Sequence, residues 1–397
     1  MQAVLAVLRD ATWLTPERAR AYRTILLVLC AAEVAAIAAF SHHGLDPEGR
    51  PVGTDFISFW AASSLALAGH PAQAYDVTAH WAAQNAAFPG AALAYSAFFY
   101  PPVFLLACLP LALLPYFPAL IAWLTTTGAC AWAALRHLSR GQGMALLAFP
   151  AVWQNVMHGQ NGFLTTALFG AAIACLDTAP IAAGLLLGAL IGKPHFMIML
   201  PVALIAAGRW RTLAAAAVSA AALCALSLAL FGADTWQAFL ADAALARETL
   251  EQNFVGNDKM QSAFAAVRLW GGGLPLAYGA QAVLASAVAA VLARICHNTL
   301  NAPTIGAALA VATTLASPFL LVYDLMLLAI PLLWLLRQAA QTGFRPWEKT
   351  VMAAAFILPL ISAGLAHALS IPLAPFVITA LFALVVRRVN SPPSGSP

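Results

Sequence analysis

The chain has 397 residues, of which 62% are hydrophobic and only 9% are charged. Soluble globular domains are roughly 45–50% apolar, so this composition excludes an ordinary soluble domain. Apolar segments separated by short basic loops predict instead an all-α polytopic integral membrane protein, because helices satisfy their own backbone hydrogen bonds in lipid. The net charge of +4 lies in those loops and not in a basic stripe, so the lipid bilayer is an expected partner and nucleic acid is not.

The first apolar segment, at about residues 24–41, follows Arg18, Arg20 and Arg23. Because basic residues favour the cytoplasmic side, the N-terminus is predicted to lie inside. No small-residue cleavage site follows the segment, which is therefore interpreted as a retained span and not as a signal peptide. Glu33 lies half-way along it, and we expect this carboxyl group to make a hydrogen bond to a packed helix.

The first predicted outer loop spans residues 42–97 and carries two predicted helices. Phe56–Leu67 reads as an amphipathic helix that ends before Gly69 and is suited to lie in the membrane interface, and a second helix follows near residues 77–87. Asp55 directly precedes the first helix. Its carboxylate suits an N-cap, which accepts hydrogen bonds from free N–H groups, and it equally suits a general base that removes a proton from a hydroxyl. The two roles are compatible.

The next apolar region, 98–136, is predicted to form two helices that separate at Pro115 and Tyr116. The distribution of basic residues requires a single crossing here. Either the first half is re-entrant, or Arg136 and Arg140 lie outside. Segment lengths alone give about 11–13 spans.

Several later segments are too short for a straight span, which needs roughly 20 residues. They are 143–157 and the region 181–207, which Pro194 divides. Short or broken helices are tolerated at membrane depth where they line a cavity enclosed by protein, so a cavity is predicted.

Basic clusters and polar turns alternate along the chain, and the alternation predicts which end of the bundle each turn occupies. Both termini are expected inside. The predicted inside markers are Arg136 with Arg140, Arg209 with Arg211, Arg294, Arg337 with Arg345 and Lys349, and Arg387 with Arg388. The predicted outer turns are 158–161, 193–195, the second outer loop 232–271, 317–318 and the region near Ser370. The whole chain, 1–397, is interpreted as one transmembrane domain that ends in a disordered tail at 391–397.

Polar side chains inside the apolar regions are candidate site residues, because ionisable groups at membrane depth usually face a cavity or a partner. Lys193 either extends to the interface or neutralises a phosphate. Asp324 either pairs with an Arg or a backbone group, or contacts a ligand. His158, Gln160 and Asn161 supply hydrogen-bond donors and acceptors at an outer turn.

The remaining polar groups are expected to be structural or solvated. Asp46 and Glu348 are interpreted as solvated loop residues. The six cysteines form no CxxC or CxxH pair, and the histidines of the first outer loop lack the spacing of a metal site on one helix face. No metal site or disulfide framework is therefore predicted.

An ordered set of segments resembles a known family, glycosyltransferase family 87, whose members are polyprenol-phosphate-mannose-dependent mannosyltransferases of GT-C type. The resemblance covers about residues 20–385. The segments are Asp55-Phe56, Tyr75-Asp76, Tyr100-Pro101-Pro102, Pro110 to Pro115, His158 to Asn161, Gly192-Lys193-Pro194, Arg209-Trp210-Arg211, Ser317-Pro318 and Tyr323-Asp324.

The resemblance implies a GT-C-type transmembrane helix bundle and an inverting hexosyl transfer on the extracytoplasmic side of a bacterial inner membrane. Asp55 matches the position of the family's general base. The implied donor is a polyprenyl-phosphate sugar, typically of mannose, the acceptor is a glycolipid or glycan, and no further cofactor is implied. For the donor phosphate the candidates are Lys193, His195, His158 and Gln160, and for the acceptor or cavity they are Asp76, Asn161, Tyr323 and Asp324. Family members often have His where Tyr323 stands, so a His–Asp pair is not assumed.

Two other functions fit the apolar composition. A transporter or flippase of a lipid-linked sugar would share the cavity and the charged outer turns, but it should show internal repeats with matched broken helices, and no such repeat is apparent. A non-catalytic scaffold would tolerate the loss of the Asp55 carboxylate.

Overall fold

The structure is a computed structural model that describes residues 2–139 and 143–390. Arg140 and the tail predicted to be disordered at 391–397 lie outside the described residues. Within the described part the secondary structure is helical, apart from two isolated β-bridges between residues 42 and 51. The α-helices are Gln2–Asp10, Pro16–Phe40, Phe56–Leu67, Val77–Ala87, Pro102–Cys108, Tyr116–Ser139, Pro150–His158, Gly162–Cys175, Pro180–Gly188, Leu200–Ala206, Trp210–Glu251, Ala263–Leu269, Leu274–Asn298, Ala302–Ala316, Ala329–Thr342, Glu348–Leu369 and Leu373–Asn390.

Seven helices among the described residues are long and apolar enough to cross a membrane, and six shorter apolar helices accompany them. The prediction of 11 to 13 spans treated every apolar segment as a span. In the structure some of these segments form long helices and others form helices too short to be counted as candidate spans. The chain is therefore an all-α polytopic membrane protein, as predicted. The short segments expected to be broken are broken, because the region around Pro194 consists of the 3₁₀ turns Ala189–Gly192 and Pro194–Met197 followed by helix Leu200–Ala206.

The core of the bundle surrounds helix Ala302–Ala316, in which every residue except Pro303 is buried. This helix is apolar on all sides, which is the pattern of a helix enclosed by other helices. Its neighbours are Leu274–Asn298, Ala329–Thr342, Leu373–Asn390 and Gly162–Cys175. Gly306 allows one of these helices to approach closely, since a Cβ there would lie 2.5 Å from a carbon of Ile173.

The region 98–136 divides as predicted, with helix Tyr116–Ser139 beginning at Tyr116. The first half contains only helix Pro102–Cys108 and the 3₁₀ turn Leu111–Leu113, which together are too short to cross a bilayer. It packs on helix Phe56–Leu67, where the Ser63 hydroxyl donates to the Leu109 carbonyl at 2.9 Å. The lengths of these helices favour the re-entrant alternative.

Helix Phe56–Leu67 has the predicted boundaries but a different environment from the one expected. Seven of its twelve residues are buried, and they lie on most sides of the helix, including Phe56, Phe59 and Ser63. A helix that lies in the membrane interface would present its apolar side to lipid. This one presents its apolar side to protein, because the aromatic rings of Tyr100 and Phe104 pack against Phe59 at 5.4 and 5.2 Å.

The second predicted outer loop, 232–271, is largely helical. It begins at Gly232, whose φ of 79° and ψ of 165° interrupt the long helix Trp210–Glu251. Glycine adopts this backbone conformation without steric cost. The chain then continues as helix to Glu251 and forms a further short helix, Ala263–Leu269.

The predicted outer turns are brought together at one end of the bundle. Hydrogen bonds between them connect segments that are far apart in sequence. They run from Asp55 N to the His158 carbonyl (3.1 Å), from Gln261 N to the Leu320 carbonyl (2.7 Å) and from Trp270 Nε1 to the Ser370 carbonyl (3.0 Å). These contacts place predicted outer turns beside one another, and the side of the membrane that they face stays a prediction.

Glu33 does not make the hydrogen bond expected of it. Helix Pro16–Phe40 lies at the edge of the bundle and packs there mainly through Cys30 and the residues a turn away from it. Glu33 is exposed, and within the described part of the chain its carboxyl group has no hydrogen-bond partner. The expectation was wrong because this helix lies at the edge of the bundle, where few of its side chains are covered by protein.

A buried ion pair connects the last three helices of the bundle, Ala329–Thr342, Glu348–Leu369 and Leu373–Asn390. Glu348 accepts from Arg388 Nε at 2.6 Å and from Arg388 Nη2 at 2.5 Å, and both side chains are at most 2% exposed. Arg388 also donates to the Gly343 carbonyl at 2.7 Å. The interpretation of Glu348 as solvated was therefore wrong: its carboxylate lies between helix ends, where the guanidinium replaces water.

We expect Glu348→Ala to lower the free energy of unfolding by about 3–5 kcal/mol, because it leaves the Arg388 guanidinium buried without its counter-charge. Thermal unfolding in detergent measures the change. Glu17→Ala is the control, since Glu17 and Arg20 form an exposed pair at 3.6 Å, and we expect it to leave the thermal unfolding nearly unchanged. Equal effects of the two substitutions would contradict the prediction.

Candidate active site

Asp55 begins helix Phe56–Leu67, but its side chain does not cap that helix. Its backbone is helical, with φ −94° and ψ −18°, and its carboxylate accepts no N–H of the first turn. The carboxylate accepts instead from the side-chain amide of Gln160, with Nε2 2.9 Å from Oδ2, and from the hydroxyl of Thr54, 3.3 Å from Oδ1. The N-cap role is therefore wrong for this side chain, and the half-buried carboxylate faces the turn 158–161.

A close approach of two turns makes this orientation possible. Helix Pro150–His158 ends at Gly159, which has a left-handed backbone with φ 63°. A Cβ at this position would lie 2.5 Å from the Cβ of Phe56, so only glycine fits. The His158 carbonyl consequently reaches the backbone N–H of Asp55 at 3.1 Å.

Helix Tyr116–Ser139 holds both turns from one face. Tyr116 and Trp123 are two helical turns apart and therefore point in the same direction. The Tyr116 hydroxyl lies 2.9 Å from the Val52 carbonyl and 3.2 Å from the Gly53 carbonyl. The Trp123 indole donates to the Gln160 carbonyl at 3.3 Å.

Gln160 is buried, and its side-chain amide takes part in three hydrogen bonds to the protein. Its Nε2 donates to Asp55, while its Oε1 accepts from the Tyr100 hydroxyl at 3.3 Å and from the Asn161 backbone at 3.1 Å. Gln160 therefore connects the carboxylate to the segment that carries Tyr100.

Lys193 and Asp324 form a buried ion pair a short distance along the same network. Lys193 is 6% exposed and Asp324 is 2% exposed. The Lys193 ammonium also donates to Asn161 Oδ1 at 3.0 Å, and the second oxygen of Asp324 accepts the Leu321 backbone N–H at 3.1 Å. Lys193 is therefore buried and does not extend to the membrane interface. The sequence suggested an Arg or a backbone group as a structural partner of Asp324, and the structure provides Lys193 and the Leu321 N–H.

Most of the candidate residues thus lie in one hydrogen-bonded network that runs from Asp55 through Gln160, Asn161 and Lys193 to Asp324. The Tyr323 ring stacks edge-on against His158, with 6.0 Å between centroids, and lies 5.6 Å from the Lys193 ammonium. Predicted residues from four separate segments therefore form one polar site.

Two candidate residues are not part of the network. His195 is half-buried beside Lys193, and its Nε2 is buried without a hydrogen-bond partner. Asp76 is exposed, and its carboxylate caps helix Val77–Ala87 by accepting the Ala79 N–H at 2.7 Å. A carboxylate occupied as a cap on the exposed end of a helix has no contact with the polar site.

Sequence reasoning missed Tyr100, Thr54 and Asn155 as site residues. Asn155 donates to the Tyr323 carbonyl at 2.9 Å, and Gly162 packs beneath this contact, since a Cβ there would lie 2.5 Å from the same carbonyl. Tyr100 was noticed only as part of Tyr100-Pro101-Pro102. The role of a neutral polar side chain in an apolar segment cannot be predicted from sequence, because it depends on a partner that only the fold brings near.

The sequence also predicted no role for His80. In the structure His80 connects the segment that contains Asp55 with the segment that contains Tyr100. Its Nε2–H donates to the Ser58 carbonyl at 3.0 Å, one turn after Asp55. Its Nδ1 accepts from Gln84, whose amide in turn pairs with both backbone groups of Ser96, at 2.6 and 3.1 Å. Burial lowers the pKa of His80 to about 4, so the ring is neutral at physiological pH.

We expect acid to weaken the fold through His80. The folded-state pKa lies below the unfolded value of about 6.5, so the unfolded chain binds more protons, and stability is lost as pH falls from about 6.5 to about 4. The contribution is about 3 kcal/mol. Unfolding in detergent across this pH range should show a smaller loss for His80→Gln than for the wild type, and identical pH slopes would contradict the assignment.

A family model described as Glycosyltransferase family 87 matches residues 98–318, which are more than half of the chain. The matched residues include the turn 158–161 and Lys193, whereas Asp55 and Asp324 lie outside them and reach them through hydrogen bonds. No match was found among curated proteins or among solved structures. With its family match and its seven long apolar helices, the chain belongs to glycosyltransferase family 87 and is a membrane glycosyltransferase.

Proposed function

We propose that the protein is an inverting hexosyltransferase. It moves a sugar, mannose by family resemblance, from a polyprenyl-phosphate donor to a hydroxyl group of a glycolipid or glycan. The observation that carries this proposal is the orientation of Asp55, whose half-buried carboxylate is turned away from its own helix and held by Gln160. A carboxylate held in this way, in the same network as a buried cation, suits general-base chemistry next to an anionic leaving group.

In the proposed reaction the acceptor's hydroxyl oxygen attacks the anomeric carbon of the donor. At the same time Asp55 removes the proton from that hydroxyl. The bond from that carbon to the phosphate oxygen breaks, and its electron pair leaves with the polyprenyl phosphate. Attack opposite the leaving group inverts the configuration. Gln160 Nε2 occupies one lone pair of Oδ2, which fixes the direction from which a hydroxyl can approach the carboxylate.

Lys193 and His195 are the proposed contacts of the donor phosphate. The Lys193 ammonium has three N–H groups, of which Asn161 and Asp324 use two. Since Asp324 neutralises its charge, the remaining N–H would act as a directed donor and not as a free cation. His195 adds an imidazole whose Nε2 has no partner within the described protein.

Two other residues expected at the phosphate are engaged by hydrogen bonds around Asp55. Gln160 gives one of its two amide N–H groups to Asp55 and its amide oxygen to Tyr100. His158 is bonded to Thr54 beside Asp55, with 2.8 Å between Nδ1 and Oγ1. These contacts favour a role of both residues in holding Asp55. Asn161, Tyr323 and Asp324 are then proposed to line the cavity and orient Lys193.

We further propose that the site faces the extracytoplasmic side of a bacterial inner membrane. The basic residues Arg345, Arg387 and Arg388 gather around Glu348, between helix ends that carry none of the proposed site residues. Basic residues favour the cytoplasmic side of a membrane, which supports an outward-facing site.

Asp55→Asn is expected to abolish sugar transfer, because the amide cannot accept the proton of the acceptor. The assay follows label from a radiolabelled polyprenyl-phosphate-mannose into products of a membrane lipid extract, with donor binding measured in parallel. Asp76→Asn is the matched control, since asparagine also caps helices and this position lies outside the network. Normal turnover of Asp55→Asn would exclude the general base, and donor that is bound but never consumed by wild type would favour a transporter.

Loss of Lys193 is expected to weaken donor use more than acceptor use. Because Lys193→Ala leaves Asp324 buried and unpaired, the informative variant is Lys193→Met with Asp324→Asn, which removes both charges. We expect this double variant to fold and to raise the KM for the donor by about 10-fold or more, which corresponds to the loss of one charge-assisted hydrogen bond. An equal rise in both KM values would argue against phosphate binding.

A further inference from the structure

Thr54 lies between His158 and Asp55, and its hydroxyl contacts both side chains. Thr54 Oγ1 is 2.8 Å from His158 Nδ1 and 3.3 Å from Asp55 Oδ1. All three residues are half-buried at the start of helix Phe56–Leu67 and the end of helix Pro150–His158. The three groups form a chain from imidazole through hydroxyl to carboxylate.

This chain is not needed to join the two turns. The backbone N–H of Asp55 already donates to the His158 carbonyl at 3.1 Å, and the Tyr116 hydroxyl holds the preceding residues Val52 and Gly53. Gln160 restrains only one carboxylate oxygen, Oδ2. The Thr54 hydroxyl is therefore the group that restrains the other oxygen.

The chemistry of the three groups fixes the direction of the chain. An ionised carboxylate only accepts hydrogen bonds, so the single hydroxyl proton of Thr54 points to Asp55 when the two are bonded. Thr54 then has only lone pairs for His158, which must donate from Nδ1. In the neutral ring the proton lies on Nδ1 and Nε2 carries none, so neutral His158 cannot donate to a phosphate through Nε2.

We propose that Thr54 is a positioning residue of the transfer reaction, and that His158 acts through it to hold the Asp55 carboxylate. With Gln160 on Oδ2 and Thr54 on Oδ1, the carboxylate plane is fixed by one hydrogen bond at each oxygen. One lone pair of each oxygen remains for the acceptor hydroxyl. His158 directs the hydroxyl proton toward Asp55, because its own N–H occupies the other side of Thr54. This inference rests on the proposed role of Asp55 as general base.

The test compares Thr54→Val, which keeps the shape but removes the hydroxyl, with Thr54→Ser, which keeps the hydroxyl. We expect Thr54→Val to lower kcat by about 10- to 100-fold, the range that misplacement of a reacting group produces. The KM for polyprenyl-phosphate-mannose should stay within about 3-fold of wild type, because Thr54 contacts no donor group in the proposal. Thr54→Ser should retain most of kcat.

A double variant tests the link to His158. If His158 acts only through the Thr54 hydroxyl, then Thr54→Val combined with His158→Gln should have the kcat of Thr54→Val alone. Losses of kcat that multiply in the double variant would overturn the proposed path. Equal damage from Thr54→Ser and Thr54→Val would also overturn it, since retention of the hydroxyl would then not preserve turnover.

Asp55→Asn in the same assay separates this inference from the function on which it depends. If Asp55→Asn is inactive and Thr54→Val turns over at the wild-type rate, the general base stands and the positioning role is wrong. If Asp55→Asn is active, the general base fails, and the positioning role fails with it.

Discussion

The buried pair of Lys193 and Asp324 is the interaction on which the polar site depends. Both groups lie in breaks between helices, Lys193 between two 3₁₀ turns and Asp324 in the turn Val322–Leu328. Removing an isolated charge from water costs several kcal/mol, so neither break could be buried without the other. Asp324 also accepts the free N–H of Leu321, and Lys193 also reaches Asn161. One ion pair therefore brings together three segments that are distant in sequence.

The same requirement explains why the site residues are connected. Backbone and side-chain polar groups at the ends of short helices must find partners inside the protein, because lipid offers none. Gln160 satisfies this need for Asp55, Tyr100 and Asn161 at once. These hydrogen bonds restrict the movement of the groups they join, and a fixed position is what a reacting carboxylate needs. The requirements of folding and of chemistry therefore select the same arrangement.

The first outer segment contributes its own framework to the site. Helix Phe56–Leu67 is surrounded by aromatic rings, and its Ser58 carbonyl is held by His80. His80 is a neutral buried donor and acceptor, so it supplies direction without the cost of a buried charge. The last helices of the bundle are connected by a charged pair, Glu348 and Arg388, and not by a neutral side chain such as His80. The protein thus uses neutral and charged polar contacts to fix the relative positions of helices, because apolar contacts alone are not directional.

Sequence by itself determined the class of protein, the boundaries of several helices and the positions of several breaks between helices. Apolar composition requires membrane helices, proline and glycine require breaks at Pro194 and Gly159, and rare polar residues in apolar segments require partners. These inferences held because each follows from a local property of the chain. The family resemblance identified from ordered motifs was confirmed by the match over residues 98–318.

Only the tertiary structure decided which polar groups pair. Asp55 suited a cap by its position, yet it turns to Gln160, and Glu348 appeared solvated, yet it is buried against Arg388. Glu33 remains exposed because its helix lies at the edge of the bundle. The partners of these carboxylates lie 105 residues away for Asp55 and 40 for Glu348. Pairing over such separations depends on how helices pack, and that information is not contained in the local pattern of residues.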